Sequence, residues 1–359
     1  EGQISGILVQ ALLDLEDSHT FFIPPPLSFS VDYGFEMGMV GERCVVTAVD
    51  RGSPAEAQGL VAGTRVLYVE GSTPTRENLW QIRYALEVAR PRRELRLGIQ
   101  VPEGSPENKV VEARVSPARP HRDFEEWIVE SLAGRRGTPD PVRVVELSET
   151  VSLLRVPFFD APERLVDDAL ERVRDKPGLV LDLRNNPGGS IERLERLAGS
   201  LLEGGAALAE RRGRHGLEPI VARRQPASRV FRGRLAVLVD AQSASAAEIL
   251  ARALQIAGRG RVLGDRTAGD VMVSRQRAYT QGHRHRFLFY GLSITEADLV
   301  MSDGGRLEGV GMTPDEMVLP TPSDMAARRD PALAAAAAHL GVSLDPAAAG
   351  RLLRAPSPR

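Results

Sequence analysis

An α/β architecture with a parallel or mixed sheet follows from three features of the sequence. Residues 178–183 (Gly-Leu-Val-Leu-Asp-Leu) and 235–239 (Leu-Ala-Val-Leu-Val) are short apolar runs of the kind buried on both faces of a sheet. Each is followed by a turn of small residues and then by apolar residues at helical spacing, over 191–203 and 247–257. A third short run, 261–264, follows the second of those helices. Strands alternating with helices in this way predict a sheet covered by helices.

Composition narrows the function classes. The chain has 359 residues, enough for more than one domain, and 42% are hydrophobic, as a packed core requires. A formal net charge of -2 excludes a nucleic-acid partner held by bulk charge. Cys44 is the single cysteine, which excludes a disulfide framework and a thiolate metal cluster. No apolar run is long enough to span a bilayer. The first residue is Glu1 rather than methionine, as expected if a signal or leader segment has been removed.

In chain order, residues 4–15 have the pattern of an amphipathic helix, ended by Pro24-Pro-Pro26. Residues 44–49 and 94–99 alternate as strands, and 64–71 reads as a strand ending in a turn. Short helices are expected over 55–59 and 77–90. The stretch 101–122 is polar and rich in proline and glycine, and is read as a linker. Residues 151–156 open the second set of strands, 162–175 is helical, and 331–339 is an alanine-rich helix. This divides the chain into an N-terminal segment (1–30), a small β-rich unit (31–117), a larger α/β core (118–320) and a helical tail (321–359).

Ser245 is the first candidate for chemistry. It sits where the 235–239 strand gives way to a helix, so unpaired N–H groups and the positive end of the helix dipole lie beside its hydroxyl. An acyl-transfer nucleophile needs that environment. The same four residues, Ser245-Ala-Ala-Glu248, also spell an ordinary capping box. A serine hydroxyl needs a base in reach, and His19 is the candidate. His283 and His285, in Gly282-His-Arg-His-Arg286, read as a polar strand face or hairpin, with no third residue to complete a metal site.

Taken together, the segments resemble the carboxyl-terminal processing (tail-specific) serine proteases, a family that includes the tricorn core protease. Arg51-Gly-Ser-Pro-Ala-Glu-Ala-Gln-Gly-Leu-Val-Ala-Gly-Thr64 resembles a PDZ segment of that family, with Gln58 and Thr64 departing from the usual alanine and aspartate. Leu181-Asp-Leu-Arg-Asn-Asn-Pro-Gly-Gly189, Ser243-Ala-Ser-Ala-Ala-Glu248 and Gly311-Met-Thr-Pro-Asp315 resemble three further family motifs. The resemblance spans about residues 14–320. It implies a crotonase-like (ClpP/crotonase) protease core with an inserted PDZ-like domain, protein or peptide substrates, no cofactor and no metal. It also implies an exported bacterial protein, periplasmic or extracellular.

One departure sets the expected mechanism. In the serine/lysine branch a lysine occupies the place of Asp270, in Thr267-Ala-Gly-Asp270, and no lysine follows Ser245 in this chain. The tricorn-like branch uses an N-terminal histidine instead, and Asp17-Ser-His-Thr20 is similar to its motif. The resemblance then implies a tetrad of Ser245, His19, Ser18 and Glu308, with Asp303 and Glu296 as rivals for the acidic place. The N–H groups of Ala246 and Gly188 are the implied oxyanion donors. The implied carboxylate-binding loop of the PDZ-like unit is Gly34, Phe35, Glu36, Met37 and Gly38. The alternative is a peptide- or ligand-binding protein that kept the fold and lost hydrolysis.

Overall fold

The computed structural model describes residues 20–23, 33–86, 94–100, 109–114, 142–214, 216–283 and 286–353. Ser18, His19 and the 4–15 stretch lie outside them. The first strand, β1 (Phe21–Ile23), belongs to a sheet completed much later in the chain.

Next comes a five-stranded antiparallel sheet in sequence order, β2 (Phe35–Val40), β3 (Arg43–Val49), β4 (Arg65–Val69), β5 (Glu94–Gln100) and β6 (Lys109–Arg114). Alternation drives it: in β5, Leu95, Leu97 and Ile99 are fully buried. They pack with Phe35, Met37, Val46, Leu60 and Val66 in a core of their own. Ser53 caps the short Pro54–Ala57 helix by accepting from the Glu56 N–H at 3.1 Å. Strand β6 falls inside the stretch read as a linker. Its Lys-Val-Val-Glu-Ala-Arg run pairs with β5 between flanks whose proline and glycine masked it.

The larger core is a six-stranded sheet in the order β16-β13-β12-β9-β8-β7. Its strands are β7 (Arg143–Glu146), β8 (Val151–Arg155), β9 (Gly178–Asp182), β12 (Arg234–Val239), β13 (Arg261–Gly264) and β16 (Glu316–Met317). Only the β7–β8 pair is antiparallel. Both faces are covered, as the apolar runs predict. Leu179, Leu181, Leu235, Val237 and Val239 face the helices Glu163–Val173, Ile191–Leu201 and Ala246–Ile256. Val180, Ala236 and Leu238 face the opposite way, against Ala332, Leu333 and Ala336 of the Pro331–His339 helix. The C-terminal helices are therefore part of the core packing.

A third sheet joins β10 (Ala207–Gly213) and β11 (Gly216–Val221) to the long hairpin of β14 (Val273–His283) and β15 (Arg286–Met301), with β1 on β15. His283 pairs with Arg286 at the end of that hairpin, and His285 lies outside the described residues.

The small unit is tied to the core beside the Ser245 turn. Arg76 donates to Asp265 Oδ1 at 2.9 Å, to the Gly41 carbonyl at 3.0 Å and to the Arg266 carbonyl at 3.1 Å. The Gly41 N–H donates to Asp265 Oδ2 at 2.7 Å. Gly38 lies against Gln242, whose amide nitrogen would be 2.1 Å from a Cβ at that position.

Candidate active site

Ser245 stands between β12 and the Ala246–Ile256 helix with φ 52° and ψ -120°. A non-glycine residue in such a region costs about 1–3 kcal/mol and persists only where its surroundings hold it. Three segments do so. The Ser245 N–H donates to the Asp270 carbonyl at 2.9 Å and to Glu248 Oε2 at 3.1 Å. The Ala244 N–H donates to the Asn186 carbonyl at 2.9 Å, and the Ala268 N–H to the Ser243 carbonyl at 3.0 Å. The Ser243 hydroxyl donates to the Leu183 carbonyl at 2.9 Å. Ser245 and Glu248 form a capping box, with Glu248 accepting from the Ser245 N–H, but Ser245 departs from the extended backbone of an ordinary cap. Capping alone does not call for that backbone shape.

Gly188 faces Ser245. A Cβ there would lie 2.6 Å from Ser245 Cβ and 3.1 Å from the Ala246 nitrogen, and φ is +98°, so only glycine fits. Two residues on, Ser190 caps the Ile191–Leu201 helix, accepting from the Arg193 N–H at 3.4 Å. The positive ends of two 11-residue helices thus open near one point. Among the described residues nothing accepts from the Ala246 N–H. The Gly188 N–H donates to Asn186 Oδ1 at 2.8 Å. Asn186 is fully buried and its amide nitrogen donates to the Val156 carbonyl at 2.7 Å, so this one side chain shapes the glycine turn.

Glu248 is fully buried behind the turn. Besides the Ser245 N–H, its carboxylate accepts from the Gly269 N–H at 2.8 Å, the Asp270 N–H at 2.9 Å and the Thr267 hydroxyl. Burial pushes its carboxyl up to about 7, with the nearby Asp270 charge adding to the rise, against the pull of these hydrogen bonds. Nothing local in the sequence reveals this convergence. Spacing shows the pairing with Ser245 and no more.

Glu308 accepts from the Val271 and Met272 N–H groups at 2.9 and 3.0 Å through Oε2. It therefore braces the backbone directly after Asp270. Its rivals are engaged elsewhere. Asp303 pairs with Arg252, and Glu296 lies 3.2 Å from Arg275 on the hairpin. Thr20, the residue after His19, is buried on β15. Its Oγ1 donates to Thr295 Oγ1 at 3.2 Å and accepts from the Thr295 N–H at 3.0 Å. That strand pairs Ala297 with Val273, two residues beyond Val271.

The Gly34–Gly38 segment differs from the expected loop. Gly34 alone is in a turn, at φ +72°, and the residues after it form edge strand β2. Phe35 and Met37 point into the small unit's core and Glu36 is exposed. The strand forms because Phe-Glu-Met alternates apolar and polar, a signal the expectation of a loop overlooked. Burial pushes the Cys44 thiol up to about 12, so it is no nucleophile near neutral pH. Among the described residues no three His, Cys, Asp or Glu side chains group to hold a metal.

A serine on a strained strand-to-helix turn, with the open Ala246 N–H at its side, has the geometry that acyl-transfer nucleophiles use. Residues 150–318 match the model of Peptidase family S41. A probable CtpA-like serine protease of Staphylococcus aureus (strain bovine RF122 / ET3-1) is 24% identical over 285 residues, covering 79% of this chain and 52% of that protein. The chain thus spans about half the length of the curated relatives it matches. The fold is shared with the photosystem II D1 C-terminal processing protease, at TM-score 0.56 and 20% identity over 97% of this chain and 88% of that one. It is shared also with a mutant of CPAF, at TM-score 0.63 and 15% identity over 91% and 85%.

Proposed function

We infer that the protein is a serine endopeptidase that cleaves proteins or peptides through an acyl-enzyme on Ser245. The observation that carries this is the Ser245 backbone, strained at φ 52° where the Ala246 N–H is open and Gly188 leaves room for a substrate carbonyl. Ser245 Oγ attacks the scissile carbonyl and His19 takes its proton. The Ala246 N–H, with that of Gly188, holds the oxygen that becomes negative. The proton passes to the leaving amine, and water then hydrolyses the ester by the same route. Ser18 and Glu308 orient His19 as the tricorn-like branch does. The placement of Thr20 on β15 supports this, because it brings the N-terminal segment to the sheet that begins just after Asp270.

The core is then crotonase-like and the 33–114 unit PDZ-like, taking substrate tails by strand addition beside β2, the terminal strand of its sheet. The curated relatives are bacterial, which supports a bacterial protein, and the exported location follows from the family resemblance. One observation favours the second reading, a binding protein without hydrolysis: the Gly188 N–H is already occupied by Asn186. A fluorophosphonate probe separates the two. Covalent labelling of the wild type and not of Ser245→Ala supports the peptidase. A wild type left unlabelled from pH 5 to 9 makes the binding protein the better account.

A further inference from the structure

A carboxylate that only caps its own helix needs one donor, yet Glu248 receives four. Three of them, the Thr267 hydroxyl and the Gly269 and Asp270 N–H groups, come from a segment remote in sequence. The fourth is the N–H of Ser245 itself, at 3.1 Å. Each carboxylate oxygen takes two donors: Oε1 from Thr267 and Gly269, Oε2 from Ser245 and Asp270. Three of the four are backbone N–H groups, which can only donate. The carboxylate anion is the one side-chain group of this size that can accept on both ends at once.

We propose that Glu248 is a positioning residue for the reaction, holding the nucleophile turn and the 267–270 segment together as a carboxylate bridge so that Ser245 keeps its reactive backbone shape. This rests on the reading of Ser245 as nucleophile. The bridge works through Ser245 and touches no substrate. Its geometry explains how the strained serine persists. The same N–H that bonds Glu248 also bonds the Asp270 carbonyl at 2.9 Å, so the two segments are joined in both directions. Thr267 continues the bridge outward, its hydroxyl accepting from the Met312 N–H at 2.6 Å.

Protonation would put an O–H against a donor and open the bridge at one end. Burial raises the carboxyl's proton affinity, so the bridge opens near neutral pH. The charged side chain acting on it is Asp270, from the facing segment. Glu308, from the 307–312 segment, bonds Val271 and Met272 instead. Arg252, one turn along the same helix, bonds Gln255 and Asp303.

The test is the rate at which a fluorophosphonate labels Ser245, Ser245 Oγ displacing fluoride from phosphorus, measured from pH 5 to 9 in the full chain. Glu248→Gln, with an unchanged circular dichroism spectrum, should label at least tenfold more slowly at pH 8. Glu248→Asp should recover part of that loss. Thr267→Val removes one donor and leaves the carboxylate, so the rising limb of the rate should move to higher pH. Should Glu248→Gln fail to fold, that limb shift decides the matter alone. Equal labelling by Glu248→Gln, or an unmoved limb in Thr267→Val, overturns the proposal while leaving Ser245 as nucleophile. A wild type that is never labelled overturns the peptidase reading, and this proposal with it.

Discussion

Ser245 and Asp270 are joined backbone to backbone, the Ser245 N–H donating to the Asp270 carbonyl at 2.9 Å. Position 270 is where the serine/lysine branch of the resembling family places its base. Here that position holds the Ser245 turn through its main chain, which any side chain can supply. Asp270→Asn is therefore expected to change peptidase or labelling rates by less than about fivefold. Removing its charge should also draw the Glu248 carboxyl downward, moving the rising limb of the rate to lower pH. A loss as deep as that of Ser245→Ala would make the Asp270 carboxylate the base.

The strain at Ser245 predicts a divergence of stability and activity. Glycine accepts positive φ without penalty, although it also adds freedom to the unfolded chain. Ser245→Gly should abolish labelling and raise unfolding stability by about 1 kcal/mol, the net of those two effects. Urea denaturation against Ser245→Ala, which keeps the strain, isolates it. A Gly variant less stable than the Ala variant would mean the turn is not strained.

Glu308 is expected to act on the base through its charge. A carboxylate near an imidazole stabilises the protonated ring, so removing the charge lowers the histidine's pKa. Glu308→Gln keeps an acceptor for Val271 and Met272 and should move the acid limb of activity down by about one pH unit. A rate loss with no movement of the limb would make Glu308 a backbone brace alone, and Glu296 or Asp303 the next to test.

Much of this was legible in the sequence, and the rest was hidden for identifiable reasons. The 178–183 and 235–239 runs read as strands because every residue there except Asp182 is apolar or glycine, and both faces are buried. The Gly188-Gly189 turn and the Ser245 junction followed from them. Strands β10 and β14 escaped because Glu210, Arg211, Arg212, Arg275 and Arg277 interrupt the apolar pattern on half-exposed faces. The roles of Asn186 and Glu248 depend on partners from distant segments, and no local spacing encodes those. The left-handed φ of Ser245 is likewise imposed by tertiary hydrogen bonds, since serine has no preference for it.

The docking of the small unit rests on Arg76. Its guanidinium and the Asp265 carboxylate are 8% and 7% exposed and lie 2.9 Å apart. Breaking a buried pair on one side strands the other charge, at about 3–5 kcal/mol. Arg76→Met should destabilise by about that amount, and Arg76→Met with Asp265→Asn by clearly less. A double-variant loss equal to the sum of the losses in Arg76→Met and Asp265→Asn alone would mean that the pair is not coupled.

Glu248 gives the last prediction, on stability rather than rate. Burial lifts its carboxyl from 4.5 to about 7. Between those values the folded protein holds a proton that the unfolded chain has released. The proton-binding difference then favours the folded state less as pH rises, so stability falls across that window and the loss is complete above about 7. At about 1.4 kcal/mol for each pH unit, the whole effect is of order 3 kcal/mol. This runs opposite to the usual paired carboxylate, whose stability is lost on acidification. Glu248→Gln has no proton to exchange, so its stability relative to wild type should climb between pH 4.5 and 7 and level off beyond. The measurement is urea unfolding of both proteins across pH 4.5 to 8. Parallel curves would mean that Glu248 titrates at its ordinary value in the fold. The four hydrogen bonds would then fully offset its burial, and the bridge would stay closed throughout the neutral range.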